Sequence, residues 1–100
     1  MFNSINLTLY TQDDCGYCHL LKKKLAEWDF RYREINVSYD LFAKDFLKEK
    51  GHRTVPQLYW NNTHLNKLPT TELTYEHICA ELDYENYIGG VENWQVRVSQ

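Results

Sequence analysis

Apolar and polar residues alternate from Ile5 to Tyr10, with Ile5, Leu7 and Leu9 on one side of the chain and Asn6 and Thr8 on the other. A period of two is that of a strand with one buried face. Thr11, Gln12, Asp13 and Asp14 break the pattern, and from Gly16 the period changes. Leu21, Leu25 and Trp28 recur at helical spacing with Tyr17 and Leu20 beside them, which predicts an amphipathic helix over residues 16–28 with Cys15 at its N-terminus. Lys22, Lys23 and Lys24 fall opposite the apolar stripe and read as a solvated helix face. Residues 31–37, RYREINV, favour a pleated surface and predict a second strand. Ser38 and Asp40 then offer caps, and Leu41 to Lys50 carries Phe42, Phe46 and Leu47 at helical spacing before Gly51 stops it. Strand, helix, strand, helix in that order implies a parallel strand pair.

TVPQLYW (54–60), the turn residues Asn61 and Asn62, and the short THL together predict an antiparallel hairpin, with Pro56 marking where its first strand begins. A further helix is expected over 71–82, with Tyr75, Ile78, Cys79 and Leu82 on one face. Beyond it stand Gly89 and Gly90, followed by Val91, Trp94 and Val98 at helical spacing or by a short strand from Gln95 to Val98. Local pattern leaves both open.

Composition narrows the class. The chain has 100 residues, 43% of them hydrophobic and 25% charged, which fits one globular domain over 1–100 and neither a disordered chain nor a membrane protein. Its net charge of −3 argues against a basic surface for nucleic acid. The first twenty residues hold no apolar run and are interrupted by Asp13 and Asp14, so neither an export signal nor a membrane span is read; a cytoplasmic monomer is expected. Three cysteines are too few for a secreted disulfide scaffold, and in a reducing compartment a close pair is more often catalytic or metal-binding than structural.

That pair stands in CGYC, between a strand and a helix. There the first sulfur meets unpaired backbone N–H groups and the positive end of the helix dipole, and both favour a thiolate. In such motifs the thiol pKa falls from about 8.5 to roughly 3.5–7.5, which supplies the nucleophile for disulfide exchange. Cys15 is therefore the expected nucleophile. Cys18, one turn further in, is the expected resolving thiol. CGYCH also matches a c-type haem attachment motif, but the only methionine is Met1 and a strand runs straight into the motif. A zinc or iron–sulfur module would need further ligands, and no second pair has ligand spacing among Cys79, His19, His52, His64 and His77. Cys79, on the apolar face of its helix, reads as a core residue.

The order LTLY, CGYC, helix, strand, helix, TVPQLYW resembles the glutaredoxin family, in length its compact bacterial and bacteriophage members, over Ile5 to about Leu65. CGYC is similar to the family's CPYC, and Thr54 to Gln57 to its cis-proline loop. The resemblance implies a thioredoxin-like α/β fold, with a mixed sheet of about four strands flanked by helices. It implies a glutathione-dependent thiol-disulfide oxidoreductase acting on protein disulfides or glutathione mixed disulfides, with ribonucleotide reductase as a partner and no metal. If the origin is a phage, the location is the host cytoplasm. Glutathione would meet Tyr17, Thr54, Val55 and Pro56, with a cis Val55–Pro56 bond and the backbone of Val55 pairing with the cysteinyl part.

The chain also departs from the family. Where the family often has a Lys for the glycine carboxylate of glutathione, Gln12 stands, and Arg53 or a lysine is left to supply the charge. Asp13 and Asp14 oppose the helix dipole, which would make Cys15 less acidic than is usual in the family. After His64 and Leu65 comes NKLPTTEL in place of the family's Ile-Gly-Gly motif for the γ-glutamyl end. One alignment starts the last family helix at Thr70, Thr71 and Glu72. The other, which the residue types favour, makes 66–87 an insertion packed at the edge and IGGVEN the true motif, with Gly89, Gly90, Glu92 and Asn93 as ligands. The missing Lys and displaced glycines also favour a second activity, a redoxin served by thioredoxin reductase.

Overall fold

The strand read from Leu7 and Leu9 is an inner strand of a sheet. In the computed structural model, which describes residues 7–82, β1 (Leu7–Thr11) pairs in parallel with β2 (Tyr32–Asn36) and antiparallel with β3 (Gln57–Trp60). β3 pairs antiparallel with β4 (Thr63–His64), giving the order β2-β1-β3-β4. Leu9 lies between Glu34 of β2 and Leu58 of β3. Three helices, α1 (Gly16–Glu27), α2 (Leu41–Glu49) and α3 (Tyr75–Glu81), complete the thioredoxin-like fold.

Two cores cover the two faces of the sheet. On one, Leu7, Leu9 and Leu58 pack with Leu21 and Leu25 of α1 and Ile78 of α3. On the other, Ala43 and Leu47 of α2 pack with Val37, against partly buried Tyr10, Ile35 and Phe46. Burying each such leucine contributes about 1.5–3 kcal/mol. Because both faces are covered, Thr8 on the polar side of the alternation is only 8% exposed, and Thr11, on the side of Leu7 and Leu9, is 1% exposed. Thr11 is satisfied by donating its hydroxyl to Glu34 Oε2 at 2.8 Å.

The stripe of α2 is rotated from the one expected. Ala43 and Leu47 face the sheet, and Phe42 is 89% exposed. Asp40 starts the helix by accepting from the Ala43 N–H at 3.0 Å. Gly51, at φ +86°, ends it: the Gly51 and His52 N–H groups return to the carbonyls of Lys48 and Leu47, the bond pair of a Schellman turn. The same pair of bonds closes α1 through Asp29 and Phe30, with Asp29 at φ 63° in the position glycine usually takes.

The lysine run is not a uniform solvated face. Lys22 pairs with Glu34 at 3.2 Å, and Lys24 Nζ donates to the carbonyls of Thr70 at 2.7 Å and Leu73 at 3.0 Å. The described part of the segment read as an edge insertion, 66–82, is built into the core. Leu73, Ile78 and Leu82 are at most 1% exposed there, because Lys24 at one point and Asn66 at another fasten the connecting loop onto α1 and β3. The helix begins at Tyr75 rather than residue 71, capped by Thr74 and His77.

Candidate active site

Cys15 is the N-cap of α1, in extended backbone conformation at φ −114°, ψ 102°. Its Sγ accepts the Cys18 N–H at 3.1 Å, so the sulfur occupies the place a capping Ser or Asp oxygen would take. Cys15 and Cys18 form a disulfide and are 8% and 2% exposed. In this oxidised form neither sulfur carries a proton, and the 3.8 Å approach of Cys15 Sγ to the Val55 carbonyl is a packing contact. In the reduced form the Cys18 N–H is in place to stabilise a thiolate on Cys15. Gly16 begins the helix, and a Cβ there would meet nothing within 4 Å; the proline of the family's CPYC would fit this first helical position.

The Val55–Pro56 bond is cis, and Val55 lies against the cysteines across the site. Tyr17, Thr54, Val55 and Pro56 line one cleft of about 560 Å³ together with Thr70 and Thr71. Gln12 lines a second cleft, which shares Thr54 and Val55 with the first. Gly89, Gly90, Glu92 and Asn93 lie outside the described residues. Asp13, expected to act on Cys15, has its carboxylate occupied elsewhere: the Tyr39 hydroxyl and the Asn36 amide donate to it and hold it below the usual carboxylate range.

Two features escaped the sequence. Asn66, 8% exposed, accepts the Leu58 N–H at 2.8 Å and donates to the Pro56 carbonyl at 2.9 Å. It thereby fixes the proline loop to the chain that carries Thr70 and Thr71. Beside it, His52 and His64 have ring centroids 4.6 Å apart, with His52 hydrogen-bonded to Tyr59 at 2.6 Å and His64 to Gln57 at 2.7 Å. Nothing in the local pattern pairs two histidines twelve positions apart; the β3–β4 register sets His64 opposite Tyr59, and Tyr59 holds His52.

Burial is the main reason both rings protonate less readily than free imidazole, and for His64 the neighbouring His52 adds to it. The unfolded chain therefore takes up more protons here than the folded one. The stability contributed is complete above about pH 6.5 and is lost as pH falls through the lowered folded values. Urea unfolding at about pH 7.5 and about pH 5.5 is expected to show a drop in wild-type stability that shrinks in His64→Gln. Equal drops in both proteins would mean that the pair does not drive it. Asp13 and Glu34, held below their ordinary range, titrate further into acid.

Comparison with known proteins fixes the family. The glutaredoxin family model matches residues 7–65. The chain belongs to the glutaredoxin family. Among curated glutaredoxin relatives, it is 28% identical over 61 residues to glutaredoxin 3 of Escherichia coli K12, which covers 60% of this chain and 74% of that protein. It is 33% identical over 52 residues to the glutaredoxin-like protein NrdH of the same strain, covering 52% of this chain and 64% of that one. The solved NrdH-redoxin from Escherichia coli, described as having a thioredoxin-like activity profile, superposes with a TM-score of 0.57 at 28% identity over 60% of this chain and 79% of its own. A buckwheat glutaredoxin–glutathione complex shares the fold, with a TM-score of 0.54 at 24% identity, covering 88% of this chain and 74% of its own. This glutaredoxin is thus a CxxC thiol-disulfide oxidoreductase. Among its described residues, no helix is long and apolar enough to cross a membrane, and no three His, Cys, Asp or Glu side chains cluster to hold a metal.

Proposed function

We propose that this glutaredoxin reduces protein disulfides and glutathione mixed disulfides through Cys15 and is itself restored by glutathione. The Cys15 thiolate attacks one sulfur of the target, forming a mixed disulfide and releasing the first thiol. Cys18 then attacks Cys15 Sγ, releasing the second thiol and leaving the Cys15–Cys18 disulfide. One glutathione thiolate opens that bond to a glutathione mixed disulfide on Cys15 and frees Cys18. A second glutathione removes the first as glutathione disulfide and returns the Cys15 thiolate.

The observation that carries this reading is the cleft beside the CGYC loop that Tyr17, Thr54, Val55 and Pro56 share with Thr70 and Thr71. Its volume of about 560 Å³ lies within the usual range for small-ligand sites. The N–H groups of Thr70 and Thr71 donate to no described residue, which leaves them open to a carboxylate. The γ-glutamyl end is therefore assigned to Thr70 and Thr71, the first of the two alignments, in preference to Gly89, Gly90, Glu92 and Asn93. A ribonucleotide reductase, the partner implied by the family resemblance, is one candidate protein disulfide, with the cytoplasm as the site of action.

The similarity to NrdH and the Gln12 position favour a second reading, reduction by thioredoxin reductase. Turnover of one protein disulfide, with glutathione plus its reductase in one arm and NADPH plus thioredoxin reductase in the other, separates the two. Faster turnover with glutathione is expected; faster turnover with thioredoxin reductase would replace this reading with the second.

A further inference from the structure

The second cleft, about 470 Å³, opens on the other side of Thr54 and Val55, between α2 and the loop that leads to Pro56. Its charged lining is cationic, beside the polar Gln12, His52 and Thr54. Lys44 and Lys48 come from α2 and Arg53 from the loop, over the apolar side chains of Leu47 and Val55. Among the described residues the ion pairs are Lys22–Glu34 and Lys67–Glu81, so these three cations are held by no carboxylate of the described residues. Asp45 and Glu49 follow Lys44 and Lys48 directly in the helix, and neither reaches them. On a chain of net charge −3, this is a concentrated positive site. It touches the reacting centre through Val55, whose carbonyl lies 3.8 Å from Cys15 Sγ.

We infer that this cleft docks an acidic, extended segment of the protein whose disulfide is reduced, with carboxylates at alternate positions next to the target cysteine. The spacing supports this occupant. Lys44 and Lys48 stand one helical turn apart, about 6 Å, and alternate residues of an extended chain on one side are about 7 Å apart. Three cations lining one cleft are more than one terminal carboxylate can use, so a single glutathione carboxylate leaves charge unmatched there. Such a field acts mainly on encounter and specificity, and salt weakens it.

This inference rests on the disulfide-reductase reading, and its test separates the two. The reduced full chain is given three substrates: a peptide with Asp at alternate positions around a cysteine blocked by mercaptoethanol, the same peptide with Lys at those positions, and uncharged hydroxyethyl disulfide. At low salt the wild type is expected to favour the acidic peptide about tenfold in the second-order rate constant, and the preference to narrow in about 0.5 M salt. Lys44→Glu with Lys48→Glu is expected to abolish or reverse the preference without changing the rate on hydroxyethyl disulfide. Lys44→Gln with Lys48→Gln serves if the reversed charges unfold the helix. No discrimination by the wild type, or equal discrimination by the variants, overturns the docking site and leaves the reductase reading standing. With glutathione disulfide as a fourth substrate, a loss confined to it likewise overturns the docking site and would make the cleft a glutathione subsite. Failure of the wild type on hydroxyethyl disulfide overturns both.

Discussion

Replacing Cys15 with Ser is expected to lower every disulfide exchange by at least about a thousandfold, because no other group can form the mixed disulfide. Cys18→Ser is expected to behave differently: it keeps exchange with glutathione mixed disulfides and loses the dithiol reduction of proteins. The asymmetry follows from position. Cys15 caps α1, receives the Cys18 N–H and faces the Val55 loop, while Cys18 is 2% exposed and lies one turn inside the helix. A hydroxyl at residue 18 leaves that N–H, and hence the stabilisation of the Cys15 thiolate, in place. Rates for both variants on a glutathione mixed disulfide and on a protein disulfide check the roles, and equal losses on both substrates would remove the assignment.

Asn66→Ala is expected to cost about 2–4 kcal/mol of stability, because it strands two buried backbone groups, the Leu58 N–H and the Pro56 carbonyl, at about 1–3 kcal/mol each. For a domain of this size that is a fall in Tm of roughly 10–25 °C. Asn62→Ala, at an exposed turn position, is the control and is expected to change little. The loss should be accompanied by weaker turnover with glutathione, since Asn66 fixes the cleft wall that carries Thr70 and Thr71. A stability change below about 0.5 kcal/mol would show that water replaces the amide at both groups.

The parts of the fold that were legible are those in which neighbouring residues report on each other. A period of two at Leu7 and Leu9 and a helical period at Leu21 and Leu25 place the CGYC motif at a strand-to-helix junction, where the structure has it. The expected α2 stripe differs from the observed one because Phe42 and Phe46 are as regular a pair as Ala43 and Leu47. A phenylalanine weighs more than an alanine in such a pattern, yet the small residue takes the sheet side. The start of α3 is hidden in the sequence because the capping box at Thr74 uses His77, and the familiar signature has Glu or Gln there. Of the candidate site, the cysteines were legible from chemistry and Pro56 through the family resemblance. Asn66, the histidine pair and the cationic cleft depend on residues that only the sheet register and the helix ends bring together.

The three lysines of α1 carry a practical consequence for labelling and surface engineering. An amine-directed reagent meets three different groups in one tripeptide: Lys23 stands exposed, Lys22 is shared with Glu34, and Lys24 is engaged by two carbonyls of the loop beside the cleft. A tag or surface-entropy substitution placed at Lys23 leaves the domain as it is. The same modification one residue further on takes away the donor that holds the Thr70 and Leu73 carbonyls.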